Sequence, residues 1–189
     1  MGWSRIMAAD TNPDDVAQSG NLLLSNFEGD EPVILESAGW RGFSDRVMGG
    51  RSDANLEISN VAGKNCARLT GTVTRESNGG FIQMALAFGD RNAALDGSAY
   101  RGIELLIHGN NEDYNVHVRT ADCGWYDESY RKTIFVKPEW QRVQIAWDEF
   151  EPNGLSAPLD SSTINRIAVL GWMREFTADV ALAEISLYA

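Results

Sequence analysis

From Asn21 to the C-terminus, hydrophobic and polar residues alternate in short runs. Gly, Asn, Asp and Ser interrupt these runs about every eight to twelve residues. An extended chain turns successive side chains to opposite faces, so alternation with period two marks a strand buried on one side. CARLTGTVTR (66–75) sets Ala67, Leu69, Gly71 and Val73 against Arg68, Thr70, Thr72 and Thr74. GFIQMALAF (80–88) places Ile82, Met84, Leu86 and Phe88 opposite Phe81, Gln83, Ala85 and Ala87. DYNVHVRTA (113–121) separates Tyr114, Val116 and Val118 from Asn115, His117 and Arg119. YRGIELLIHG (100–109) is apolar almost throughout and reads as a central strand. NLLLSNF (21–27), ANLEISNV (54–61), KTIFV (132–136), WQRVQIAW (140–147), INRIAVLGW (164–172) and DVALAEISLY (179–188) complete a set of about ten strands. The pattern predicts an all-β, antiparallel sandwich over residues 21–189. Residues 1–20 read as an N-terminal arm in which Pro13, Asp14 and Asp15 open a short helix ending at Gly20.

Composition narrows the partners. A chain of 189 residues suits one domain whose core needs no disulfide or metal staple. The net charge of −11, from 27 acids and 16 bases, repels phosphate backbones, and no dense Lys/Arg run offsets it, so nucleic acid is not an expected partner. Cys66 and Cys123 lack ligand spacing and read as two thiols; their order in the sequence leaves a single cross-strand bridge open. No apolar run is long enough for a membrane span. The N-terminus lacks the apolar stretch of a signal peptide, and it is too acidic and too poor in Arg for a transit peptide. Ile6 also breaks the myristoylation pattern, so the expected location is cytoplasmic.

Candidate chemistry begins with GWRGFSDRVMGGRSD (39–53). Its glycine pair is followed by Arg51-Ser52-Asp53, so it lacks the lysine of a phosphate loop. Gly49 and Gly50 instead suit a turn that needs positive φ or close backbone approach. Asp45 and Arg46 are expected to shape that turn or to face a ligand, with Val47 and Met48 anchoring it to the core. Arg46 and Arg51 lie close enough in sequence to pair with Asp45 and Asp53. His108 and His117 have no third residue at zinc spacing; His108 reads as structural, while His117 shares a polar face with Asn115 and Arg119. The acids Asp127-Glu128 and Asp148-Glu149 bunch in turns rather than alternating along a strand, unlike a glycosidase pair. No GxSxG or HExxH motif is present, and no enzymatic activity is expected. Of six tryptophans, Trp40, Trp140 and Trp147 fall in strand-like contexts and are assigned to the core. Trp125 and Tyr126, in the loop CGWYDESY (123–130), form a candidate aromatic platform for a sugar ring.

Trp40, Asp45, Val47, Met48, Gly49, Gly50 and Ser52 are followed by GTVTRESNGGF (71–81), with Gly79 and Gly80 in a second turn. YRGIELLIHGNNEDYNVHVRT (100–120) and the spacing of Trp140, Ile145 and Phe150 come next, in the same order as in a known family. From about Leu22 onward the chain resembles the complex I intermediate-associated protein family, a group of galactose-binding-like β-sandwiches. The resemblance implies a jelly-roll fold without catalytic residues, and in mitochondria such proteins act as assembly chaperones for respiratory complex I. Two departures bear on partner contacts: EPNGLSAPLD follows Phe150 without an Arg-Gly element, and Ile145-Ala146-Trp147 replaces Ile-Pro-Phe. The missing transit peptide also argues against a mitochondrial assembly factor. Sandwiches of this class often hold a structural calcium between their first and last strands, for which Glu28 and Glu184 are the candidate ligands. The expected function is therefore a non-catalytic binding domain that recognises a protein partner as an assembly or stability factor. A carbohydrate-binding module using the loop aromatics and the Asn115/His117/Arg119 face is the alternative.

Overall fold

A computed structural model describes residues 20–28, 39–88 and 94–189. The expected arm therefore lies outside the described residues except for Gly20. Twelve strands pair into two antiparallel sheets of six. The first sheet contains β1 (Leu22–Asn26), β3 (Asp53–Val61), β4 (Lys64–Val73), β6 (Gly102–His108), β9 (Gln141–Ala146) and β12 (Phe176–Tyr188). Its order is β3-β4-β12-β6-β9, with β1 also paired to β12. The second sheet contains β2 (Trp40–Ser44), β5 (Phe81–Ala87), β7 (Glu112–Thr120), β8 (Ser129–Val136), β10 (Glu151–Asn153) and β11 (Ile164–Trp172), in the order β10-β8-β7-β11-β5-β2. The fold is the expected all-β sandwich with two strands more than the alternation revealed. Those two, β2 and β10, are five and three residues long, too short and too polar to show a period.

Apolar sides of both sheets meet in one core. Ile82, Met84 and Leu86 of β5, Tyr114, Val116 and Val118 of β7, and Ile167 and Val169 of β11 come from the second sheet. Facing them from the first are Leu69 and Val73 of β4, Ile103, Leu105 and Ile107 of β6, and Val180, Leu182, Ile185 and Leu187 of β12. Each such side chain contributes about 1.5–3 kcal/mol on full burial. Parity along β12 switches between Leu182 and Ile185, and the register against β6 shifts at the same place, between Leu182 and Glu184. One extra residue there lets a 13-residue strand keep an apolar face toward the core along its whole length. The same strand pairs with β4 in its first half and with β1 in its second.

Trp40 is buried, and its indole N–H donates to Ser25 Oγ at 3.0 Å. Trp140 and Trp147, assigned to the core from sequence, are only half-buried. Each needs an acceptor for its indole N–H and finds one at the core's margin, Val61 O at 3.0 Å and Tyr100 O at 2.9 Å. Cys66 and Cys123 are both free thiols. Among the described residues no helix is long and apolar enough to cross a membrane.

Candidate functional site

Two turns meet at Asp45. This residue opens a short 3-10 turn, Asp45–Met48, and is completely buried. Its carboxylate accepts from Ser52 N at 2.9 Å, Ser52 Oγ at 2.6 Å, Gly80 N at 2.5 Å and Phe81 N at 3.3 Å. Burial pushes the Asp45 carboxyl up, but the Ser52 hydroxyl and the Gly80, Ser52 and Phe81 amides outweigh it and hold the group below the usual carboxylate range. The flanking glycines make room for it. A Cβ on Gly50 would lie 2.3 Å from Asp45 Cγ, and one on Gly79 would lie 2.2 Å from Asp45 Oδ2. Gly49 closes the turn at φ 87°, and its N–H and that of Gly50 donate to Arg46 O and Asp45 O. Gly80, at φ 142°, also accepts from Met173 N at 2.6 Å, which ties the end of β11 to the same knot.

Beside this knot the outer face of the second sheet forms a cleft of about 690 Å³. Its floor is Ala168 and Leu170 of β11, which cluster with the buried Ala85 of β5 and with Phe43, Phe81 and Trp172. Ala168 sits between Ala85 and His117 on the neighbouring strands, so small side chains in the middle of the sheet give the cleft its depth. Val47 and Met48 line one side, and Gly124, Tyr126 and Asp127 the other. The second wall is clasped from within. Arg119 donates to the carbonyls of Cys123, Tyr126 and Glu128, while the Glu128 carboxylate accepts from Gly124 N and Trp125 N at 2.7 and 2.9 Å.

Polar groups converge on Trp172. The Arg131 guanidinium lies 4.5 Å above its ring centroid, and His117 meets the ring edge-on at 5.1 Å. Arg131 also donates to Ser129 Oγ at 2.9 Å and Asp127 O at 2.9 Å. His117 faces Arg131 directly across the β7–β8 pair. Burial, and then the positive charges of Arg131, Arg166 and Arg119, push its pKa down to about 3, so the imidazole is neutral at ordinary pH. His117 Nε2 is buried without a hydrogen-bond partner among the described residues. The cleft thus offers flat apolar surface, hydrogen-bond donors and a ring nitrogen unsatisfied among the described residues.

A family model describing Complex I intermediate-associated protein 30 (CIA30) matches residues 25–175, which include the Asp45 knot and every strand of the cleft floor. The chain belongs to the CIA30 family. None of the curated proteins matches it. Solved structures with a similar fold include a family 11 carbohydrate-binding module from Clostridium thermocellum in complex with a β-1,3-1,4-mixed-linked tetrasaccharide. The TM-score is 0.70 at 17% identity, covering 90% of this chain and 96% of that one. A family 30 carbohydrate-binding module of a cellulosomal cellulase from the same organism has a TM-score of 0.62 at 17% identity, covering 89% and 97%. These likenesses establish the galactose-binding-like sandwich as the fold of this CIA30 domain.

Of the residues singled out in the CIA30 sequence as ligand-facing, the cleft gathers His117, Arg119 and Tyr126. Asn115 is half-buried one step along β7, where its Oδ1 is 3.4 Å from the Thr133 hydroxyl. Trp125 is 71% exposed and does not line the cleft. Asp45 is sealed inside the knot and cannot reach a ligand; Arg46 donates to Ser52 O at 3.0 Å and pairs with Asp53 at 3.4 Å. Arg51 pairs with Glu76 rather than with an aspartate. Val47 and Met48, expected to anchor the turn in the core, are 71% and 52% exposed, because the 3-10 turn points them outward over the cleft. Of the calcium candidates, Glu28 is exposed and Glu184 accepts from Arg142 at 2.9 Å, so a guanidinium stands where a metal would. No group of three or more His, Cys, Asp or Glu side chains suited to a metal forms among the described residues.

Trp172, Phe81, Phe43, Gln83, Arg131 and Arg166 were not singled out from the sequence. INRIAVLGW is so apolar that its parity separates no polar face, although Arg166, Ala168, Leu170 and Trp172 do share one side. Arg131 falls between the loop 123–130 and the strand pattern that starts at Lys132, whereas β8 begins at Ser129.

Proposed function

We propose that this CIA30 domain is a non-catalytic glycan-binding module whose site is the cleft over Trp172. The observation that carries the reading is the meeting of Trp172, Phe81, Phe43 and Tyr126 with Gln83, His117 and Arg131 in one cleft. A pyranose ring has apolar C–H faces and hydroxyl edges, and such a lining matches both. The complex of the family 11 module with a mixed-linked tetrasaccharide supports this reading, since the two chains share a fold. Calorimetry and tryptophan fluorescence against a panel of oligosaccharides test it. At least one should bind and shift the indole emission, and Trp172→Ala should abolish that binding. Silence across the panel would remove the glycan reading.

A second reading, recognition of a protein partner as an assembly or stability factor, draws on the exposed rim. Val47 and Met48 stand beside the cleft with Tyr126, 75% exposed, across from them. The family's description also names an association with complex I intermediates. Affinity purification from native cells should then recover one stoichiometric protein, lost with Val47→Asp/Met48→Asp and retained with Trp172→Ala.

A further inference from the structure

Five arginines among the described residues are half-buried: Arg68, Arg119, Arg131, Arg166 and Arg174. Arg68 and Arg174, which lie outside the cleft, each hold a carboxylate at 2.6 Å, from Asp179 and Glu112. Arg119, Arg131 and Arg166 line the cleft, and among the described residues none of them pairs with a carboxylate. A half-withdrawn guanidinium loses hydration, and a protein carrying 27 acids has ample means to neutralise it. Three cations in direct contact with no carboxylate among the described residues, in one cleft of a chain with net charge −11, therefore point to an anion supplied from outside.

The three differ in what they have left to offer. Arg119 spends its donors on three loop carbonyls. Arg131 uses Nε and one Nη on Ser129 and Asp127, keeping its other Nη free while stacked on Trp172. Arg166 makes no side-chain hydrogen bond to any described residue, and burial, with Arg119 beside it, pushes its pKa down to about 10, so it stays charged near neutrality. Arg166 pairs in register with Arg119, and His117 pairs with both Arg131 and Ala168, so the free guanidinium groups flank the imidazole whose Nε2 is unpartnered. Asp127 is the one acid lining the cleft, and its carbonyl rather than its carboxylate meets Arg131.

We propose that the cleft selects a saccharide bearing a carboxylate, a uronic acid unit, with Arg166 and Arg131 binding the carboxylate and the aromatic residues the ring. This inference rests on the glycan reading above and adds the charge. A planar carboxylate matches the fork of a guanidinium, and the charge-assisted pairing is stronger for half-buried arginines than for fully solvated ones.

The test compares oligogalacturonate, oligomannuronate and oligoguluronate with their methyl esters, which keep the sugar and remove the charge. At least one acid form should bind tenfold or more tightly than its ester. That ratio should shrink as NaCl rises to about 0.5 M, and it should collapse toward one in Arg166→Gln, a variant that breaks no hydrogen bond within the described residues. Equal binding of acid and ester, or a neutral glucan binding more tightly than any uronate, would overturn the charge selection and leave glycan binding standing. Binding of sulfated oligosaccharides alone would overturn the carboxylate assignment. No binding by any saccharide would remove both readings together.

Discussion

Asp45 Oδ2 accepts the Gly80 N–H at 2.5 Å across 35 residues of chain, and this bond joins the two glycine turns that mark the family. The VMGG and NGGF segments look like separate motifs in the sequence. In the fold they are the two halves of one enclosure, with Gly50 and Gly79 on either side of a single buried carboxylate.

Replacing Asp45 by Asn should cost about 2–4 kcal/mol, because an amide nitrogen would face N–H donors that lose a charged acceptor. Urea denaturation measures it. Since the Asp45 pKa lies below the ordinary aspartate value of 3.8, its stabilisation is complete above that pH and is lost as pH falls through the lower, folded value. The wild type should therefore show an acid limb below about pH 4 that Asp45→Asn lacks.

Two alanine substitutions separate space from conformation. Gly79→Ala sits at φ −83°, which any residue adopts, but its Cβ would strike Asp45. Gly49→Ala sits at φ 87° with open space around it. Gly49→Ala should cost about 1 kcal/mol from backbone strain alone. Gly79→Ala should cost more, about 2–3 kcal/mol, because the buried carboxylate cannot retreat without breaking its bonds. Thermal melts of both variants decide the ranking.

Arg166→Met should leave stability unchanged or raise it by up to about 1 kcal/mol, since a half-buried cation with no counter-ion among the described residues is replaced by an apolar chain of similar length. A melting temperature reduced by several degrees would reveal a structural role that the hydrogen bonds do not show.

His117 supplies a second pH dependence. Its folded pKa, about 3, lies far below the ordinary value of 6.5, so between these limits the unfolded chain binds a proton that the folded chain refuses. Stability should fall as pH drops below about 6.5, by at most about 1.4 kcal/mol per pH unit from this one group. His117→Gln should flatten that slope in denaturation curves collected from neutral pH downward.

Alternation made the inward faces legible. Leu69, Val73, Val116 and Val118 lie on the apolar side by period two, and all are buried, whereas both sides of β5 are largely apolar and packing turns Ile82 and Met84 inward. Alternation could not show that β11 faces the cleft with Trp172, because Ile, Ala, Val and Leu occupy both sides of that strand. Nor could it place Val47 and Met48, since a 3-10 turn of four residues follows neither the strand nor the helix period.

By itself the sequence determined the all-β class, the inward side of most strands and the family to which the chain belongs. These follow from local properties: backbone extension, side-chain parity and glycines where a Cβ has no room. Only the tertiary structure decided that Asp45 binds a turn 35 residues away, that Arg68 and Arg174 have carboxylate partners while Arg131 and Arg166 have none among the described residues, and that Trp172 is the centre of the cleft. Partners across a sheet are set by strand order and register, which depend on how the whole apolar surface closes on itself. Parity tells each residue which way to face, and packing alone decides what it finds there.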